Sequence, residues 1–146
     1  MMRWDEKISC FVYYFFGFVR LREKNNMQND FNNKYCARTK LFTVQLIRTL
    51  DLGQAREATR IIIRQLLRSG TSIAANFRAA SRARSKAEYY SKLCIVVEEC
   101  DETLFWLEIM LEAALLPKDK LLPLQKESTE LLKIFSSTRK TLRQNK

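Results

Sequence analysis

Arginine is the residue type whose number and spacing in this sequence point most directly to chemistry. Four arginines stand four residues apart, and two more resume that spacing further on: Arg56, Arg60, Arg64, Arg68, Arg78 and Arg82. An α-helix has 3.6 residues per turn, so a continuous helix would place them along one face. Such a basic stripe, with Arg84 and Lys86 just beyond it, is typical of a surface that neutralises the phosphates of RNA or DNA.

The charge of the rest of the chain leaves three partners open for this basic stripe. Residues 35–92 carry an excess of nine positive charges, whereas residues 93–116 carry six acidic residues and no basic ones. Like charges four residues apart on a helix repel, so the stripe needs compensation or full solvation. The first alternative is the acidic block, within one subunit or between subunits. The second is nucleic acid, and the third is solvent. Aromatic residues do not interleave with the arginines, which favours backbone and shape recognition over sequence recognition.

Residues suited to catalysis or metal binding are scarce, and we expect no enzymatic activity, no metal and no cofactor. The chain has no histidine. Its close carboxylate pairs, Glu98/Glu102 and Glu108/Glu112, belong to one predicted helix and lack the Glu-x-x-His partners of di-iron bundles. No glycine-rich phosphate loop is present. The cysteines at 10, 36, 94 and 100 form no C-x-x-C pair, which is typical of reduced thiols in a cytoplasmic protein.

The N-terminal segment differs from the rest of the sequence. Its apolar run at residues 8–19 is shorter than the roughly 20 residues of a membrane span, and it fits a signal peptide poorly. The Asn-rich stretch at 23–34 is not expected to be helical. We therefore predict that residues 1–34 are a poorly structured or non-native extension, with translation starting at Met27, and that residues 35–146 form the domain. The alternative is an interfacial anchor or an extra helix packed on the bundle; no membrane span is expected.

The remaining sequence predicts an all-α protein. With 47% hydrophobic residues, 3 Gly and 2 Pro, the chain suits a few long helices better than many short strands. Helical spacing of apolar residues predicts helices over about 37–52, 54–83, 85–116 and 118 to the C-terminus, with Pro123 in the first turn of the last. Short connections imply an antiparallel up-down-up-down four-helix bundle. The expected core residues are Phe42, Val44, Leu46, Ile47, Leu50, Ile62, Leu66, Ile73, Phe77, Leu93, Val96 or Val97, Cys100, Leu104, Leu107, Leu111, Ala114, Leu121, Leu124, Ser128, Leu131, Phe135, Thr138 and Leu142.

Three local features of the helices carry specific predictions. Gly70 inside the second helix indicates either a close approach of another helix or a kink. Asn76 stands in an apolar stretch and is expected to hydrogen-bond between helices, or more rarely to recognise a ligand. Ser85 and Glu88 form a capping box, in which the serine hydroxyl and the glutamate carboxylate bind backbone N–H groups at the start of the third helix.

Two stretches, QLLRSGTSIAANFRAASRARSKAEYYSKL and VVEECDETLFWLEIMLEAALLP, resemble the four-helix-bundle proteins of intervening sequences in bacterial 23S rRNA genes. That group includes the accessory protein of diversity-generating retroelements. The likeness covers about residues 37–143, and its most specific positions include Ser69, Gly70, Asn76, Ser85, Glu102 and Trp106. Where relatives commonly have Glu after Asn-Phe/Tyr-Arg, this chain has Ala79.

The resemblance implies a homopentameric assembly of antiparallel bundles, with basic surfaces that contact nucleic acid and, in the retroelement branch, a reverse transcriptase as partner. From the residues and the resemblance together we expect sequence-tolerant binding of RNA or DNA. The residues expected to bind are Arg56, Arg60, Arg64, Arg68, Arg78, Arg82, Arg84 and Lys86. The alternative is a structural adaptor that binds another protein and uses its charges for assembly.

Overall fold

The computed structural model describes the backbone of residues 4–50 and 56–144, and side chains from residue 26 onward within those ranges. Four helices follow one another: α1 (Trp4–Thr49), α2 (Glu57–Ala80), α3 (Lys86–Glu112) and α4 (Lys118–Gln144). The chain divides into two compact units, Met1–Lys34 and Tyr35–Lys146. Within the described residues, no helix has both the length and the apolarity that crossing a bilayer requires.

The second unit contains four helical segments with sequential contacts, consistent with an up-down bundle. Helix α2 packs against α3, and α3 packs against α4. Residues of α1 from Tyr35 onward reach both α2, where Thr43 bonds to the Gly70 carbonyl, and α4, where Arg38 bonds to Glu127. A five-residue connection joins Ala80 to Lys86, so α2 and α3 run antiparallel.

The start of α1 departs from the sequence prediction. The Asn-rich stretch at 23–34, expected not to be helical, lies inside α1. Asparagine costs only a few tenths of a kcal/mol per helical position, and a helix that is already nucleated gains one hydrogen bond for each residue added. The start of translation at Met27 stays a prediction. The first predicted helix, expected to extend to about residue 52, ends at Thr49.

The core confirms most predicted positions, including Phe42, Leu46, Leu66, Phe77, Leu121 and Phe135, all of them buried. Several predictions miss by one residue. Ile63 is buried where Ile62 was expected, and Thr103 and Met110 are buried where Leu104 and Leu111 were expected. Ile47 is 57% exposed, and Ala114 lies outside the helix and is exposed. Val44, Thr138 and Leu142, also expected in the core, are only half-buried. Residues one step apart on a helix differ by about 100°, so a small rotation toward a neighbouring helix exchanges them.

An aromatic cluster that the sequence did not predict joins three helices. Tyr35 stands edge-on to Phe77 and Phe135, with ring centroids 6.4 and 5.8 Å away, and the two phenylalanine rings are 4.8 Å apart. Edge-to-face aromatic pairs add stabilisation beyond the area they bury. The cluster therefore ties α1, α2 and α4 together near the end of the bundle where α2 stops.

Pro123 and the C-terminal end of α3 both differ from the prediction. Pro123 was expected in the first turn of α4 but stands in its second, because α4 already begins at Lys118. The missing N–H there removes a single hydrogen bond near the helix start. Helix α3 ends at Glu112, before Pro117, through a Schellman-type cap. In this cap the N–H of Leu115 bonds to the Met110 carbonyl at 3.0 Å, and Ala114 has a positive φ of 49°.

Candidate nucleic-acid interface

Four of the predicted arginines share the outward face of α2. Arg60, Arg64, Arg68 and Arg78 fall within a sector of about 80° and span about 27 Å along the helix axis. Arg64, Arg68 and Arg78 are exposed, and Arg60 is half-buried. The buried residues of α2 occupy the other side of the helix. We call these four residues the α2 arginine face.

The other predicted basic residues lie beyond the ends of α2. Arg56 is the N-cap residue, and α2 stops at Ala80, so the expectation that Arg82 continues the face on the same helix is wrong. The backbone N–H groups of Arg82 and Ala83 bond to the carbonyls of Ala79 and Ala80 at 3.1 and 2.9 Å, which tightens the chain out of α-helical geometry. Arg82, Arg84 and Lys86 are exposed where α2 joins α3.

The predicted capping box begins α3 and fixes the backbone of the basic connection that carries Arg82, Arg84 and Lys86. The Ser85 hydroxyl accepts a hydrogen bond from the Glu88 N–H at 3.1 Å. The Glu88 carboxylate accepts from the Arg84 N–H at 2.9 Å, one residue earlier than the usual box. The cap therefore holds the backbone of Arg84 in place while leaving its side chain exposed.

Gly70 marks a close approach of helices and not a kink. Helix α2 continues without a break through Gly70, which is buried. A Cβ added at Gly70 would overlap Cδ1 of Leu46, a buried residue of α1. The Thr43 hydroxyl donates a hydrogen bond to the Gly70 carbonyl at 3.5 Å. Glycine thus lets α1 approach the side of α2 that lies away from the arginines.

Ser69 and Thr103 set the level at which α2 and α3 meet. Both residues are fully buried, and the Thr103 hydroxyl lies 3.0 Å from the Ser69 oxygen. When Thr103 donates to Ser69, the Ser69 hydroxyl donates in turn to the Gln65 carbonyl at 3.2 Å. The Glu99 carbonyl, 2.7 Å from the Thr103 oxygen, is the other acceptor within reach of the single Thr103 proton. Because both hydroxyls have partners, this polar contact is compatible with a buried interface. It brings Arg68 and Glu102, the preceding residues, to the same level.

Glu102 joins the arginine face to α3. Its Oε1 accepts a hydrogen bond from Nη2 of Arg68 at 2.5 Å and one from the indole N–H of Trp106 at 3.1 Å. The Trp106 hydrogen bond, and then the Arg68 guanidinium, hold the pKa of Glu102 below its ordinary 4.5, against the opposing effect of desolvation. Trp106 in turn stands edge-on to Phe105 at 4.9 Å. The carboxylate is therefore ionised and oriented at neutral pH.

The acids of α3 differ in exposure and in their relation to the arginine face. Glu102 pairs with Arg68. Four others are exposed: Glu98, Asp101, Glu108 and Glu112. At about 100° per residue they share one side of α3 with Phe105, which is 49% exposed. Within a single chain, Arg64 and Arg78 of α2 and these four acids of α3 are therefore exposed to solvent, each set on its own helix.

Asn76 does not bridge helices as predicted. Its amide N–H₂ bonds to the Ser72 carbonyl and to the Ser72 hydroxyl, each at 3.0 Å, within α2 itself. The side chain is half-buried. An amide one turn from a carbonyl and a hydroxyl can satisfy its donors locally, so it needs no partner on a neighbouring helix.

The cysteines offer no evident nucleophile. Cys36, Cys94 and Cys100 are free, and burial, followed by the nearby charges of Glu99 and Asp101, raises the pKa of Cys100 far above its ordinary value. A thiol in that environment stays protonated and unreactive. Cys94 is half-buried. Cys10 lies outside the described side chains.

Sequence reasoning missed an ion pair that joins α1 to α4. Arg38 of α1 binds Glu127 of α4 through two hydrogen bonds, at 2.6 and 2.9 Å. The bond to Glu127 raises the pKa of Arg38. The two residues are 89 positions apart in the chain, so no local spacing could have revealed the pair.

These observations define a four-helix protein of the all-α class with an arginine-bearing outer helix. The sequence profile of the 23S rRNA-intervening sequence protein family matches residues 32–137, and the chain belongs to that family. A crystal structure of a protein of unknown function from the S23 ribosomal protein family, from Bacteroides thetaiotaomicron, is similar. It is 30% identical in sequence, with a TM-score of 0.67 over 75% of this chain and 97% of that chain. Among curated proteins the chain has no match of significance.

Proposed function

We propose that this protein is a non-enzymatic, sequence-tolerant binder of RNA or DNA, and that the α2 arginine face contacts the phosphate backbone. The observation that carries the proposal is the placement of Arg60, Arg64, Arg68 and Arg78 on one outward face about 27 Å long. The exposed Arg56, Arg82, Arg84 and Lys86 extend the positive surface at both ends of α2. The name of the family, which refers to sequences inserted in 23S rRNA, is consistent with an RNA context.

The exposed acids of α3 support a second element of the proposal, assembly into a homo-oligomeric ring, which the family resemblance suggests is a pentamer. Phe105 is half exposed in the middle of four exposed acids. An apolar side chain ringed by one sign of charge is suited to an interface with a basic surface of the next subunit. Repetition of one head-to-tail contact closes a ring when the rotation between subunits allows it.

Fluorescence anisotropy against structured RNA and duplex DNA tests the binding proposal. Arg64→Ala/Arg78→Ala removes two exposed charges of the face, and neither arginine makes an ion pair within residues 56–144. Lys140→Ala/Arg143→Ala removes two exposed charges from α4 and is the matched control. Binding should weaken by orders of magnitude between about 50 and 200 mM salt and should fall more in the α2 variant. Equal loss in both variants would contradict the proposed site.

The alternative is an adaptor that binds another protein, a reverse transcriptase being the partner that the resemblance suggests. The exposed acidic side of α3 favours it, because that surface repels nucleic acid and attracts basic proteins. Absence of nucleic-acid binding at about 50 mM salt, with the oligomeric mass unchanged in Arg64→Ala/Arg78→Ala, would support the adaptor. A loss of oligomeric mass in that variant would instead assign the arginines to assembly.

A further inference from the structure

Arg68, in the middle of the α2 arginine face, already has an anionic partner. Arg68 donates to Glu102 at 2.5 Å, yet its side chain is 59% exposed and that of Glu102 is 32% exposed. Arg64 and Arg78, on the same face, make no ion pair within the described residues from 56 to 144. A phosphate that approached the exposed part of this face would therefore meet unpaired guanidinium groups at Arg64 and Arg78 and a paired one at Arg68.

The carboxylate of Glu102 is not a passive neighbour of Arg68. The Trp106 indole N–H donates to the oxygen that also accepts from Arg68, so it orients that oxygen toward α2. Thr103, the next residue, is locked to Ser69 by the buried hydroxyl pair at 3.0 Å. Trp106 and Thr103 therefore hold the Glu102 end of the contact in place, and Glu102 keeps its position when Arg68 leaves it.

We propose that Glu102 is a selectivity residue that competes with phosphate for Arg68, so that Arg64, Arg68 and Arg78 are available together only to a ligand that displaces this carboxylate. The inference rests on the proposed binding of nucleic acid to α2. A single phosphate gains little by replacing one carboxylate at Arg68. A polyanion gains because contacts at Arg64 and Arg78 hold it in place while Arg68 exchanges partners. The carboxylate thus favours extended phosphate backbones over isolated anions.

The variant Glu102→Gln tests the competition. Its amide oxygen still accepts from Trp106, whereas the negative charge that holds Arg68 is lost. Since exposed ion pairs are weak, affinity for a short duplex RNA should rise only about two- to fivefold. The slope of log affinity against log salt should steepen by about 0.9, the amount for one more phosphate contact. In an Arg68→Ala background, Glu102→Gln should change neither quantity.

The control is Glu130→Gln, which removes an acid from the exposed Lys133–Glu130 pair on α4 and changes the net charge equally. Inorganic pyrophosphate is the second probe: Glu102→Gln should reduce the preference of the protein for RNA over this small anion. An equal gain in Glu130→Gln, or no gain in Glu102→Gln while wild-type protein binds RNA, would overturn the inference alone. Failure of wild-type protein to bind RNA would overturn the proposed function and this inference with it.

Discussion

The hydroxyl of Thr103 meets that of Ser69 at 3.0 Å in the interface between α2 and α3, and both residues are fully buried. This polar contact between two buried helix faces favours one alignment, because sliding either helix by a turn would separate the two hydroxyls. The pair thereby determines which residue of α3 stands beside each arginine of α2.

Thr103→Val should lower the free energy of unfolding by about 1 kcal/mol, since valine keeps the shape of threonine but leaves Ser69 without its partner on α3. Urea unfolding followed by circular dichroism measures the change. Thr129→Val is the matched control, because the Thr129 hydroxyl bonds only to the Gln125 carbonyl of its own helix and is half-buried. Equal losses in the two variants would argue against a contribution from the contact between helices.

Gly70→Ala should destabilise the protein by about 1 kcal/mol. Alanine is the better helix former by about 1 kcal/mol, but its Cβ would overlap Cδ1 of Leu46 in a filled core, and overpacking costs about 1–3 kcal/mol. Thermal or urea unfolding measures the net effect. Adding Leu46→Ala should recover part of the loss attributed to overlap, which a double-mutant cycle detects. Ala75→Gly, at an exposed position of α2, calibrates the propensity difference. A stabilised Gly70→Ala variant would mean that Leu46 moves aside freely.

Ala114→Gly should stabilise the protein by about 1 kcal/mol. Ala114 has a φ of 49°, a left-handed conformation that costs a residue with a Cβ about 1–2 kcal/mol and that glycine adopts readily. The side chain is exposed, so its removal forfeits no packing. The midpoint of urea unfolding should rise with an unchanged slope. Ala113→Gly, one residue earlier at a φ of −80°, should not stabilise, and an equal gain there would contradict the explanation.

The Glu102 carboxylate should make stability depend on pH. Its pKa is lower in the folded protein than the ordinary 4.5, so its contribution is complete above the unfolded value and is lost as pH falls through the lowered folded value. Wild-type protein should therefore be more stable than Glu102→Gln at neutral pH, and the difference should shrink as pH falls below about 5. Urea unfolding across this range measures it, with Glu130→Gln as the control for loss of an exposed acid. A difference that stays constant with pH would exclude the ionised carboxylate as its source.

Much of the helical framework was predictable because its signals are local. Ser85 and Glu88 predict the start of α3, and the capping contacts confirm it. Phe42, Leu46 and Leu50 predict the buried side of α1 through their spacing of four, and all three are buried. The Asn-rich stretch at 23–34 misled the prediction, because the propensity of single residues is weaker than the tendency of a helix to continue.

The rotation of each helix about its axis was less predictable. Leu104 and Leu111 are the more hydrophobic choices at their positions, yet Thr103 and Met110 are buried in their place. Helix α3 must face α2 and α4 together, and its buried side points between them. Thr103 can enter that side at little cost, because either Ser69 Oγ or the Glu99 carbonyl can accept its single hydroxyl proton.

The sequence by itself determined the all-α class, the order of the four helices and the arginine face of α2, because periodicity, capping residues and charge spacing act within a few turns of one helix. Only the tertiary structure decided that Glu102, among the six acids of residues 93–116, meets Arg68, that Gly70 admits Leu46 and that Arg38 binds Glu127. Such pairings join residues tens of positions apart. They depend on how whole helix faces interlock, so no local pattern encodes them.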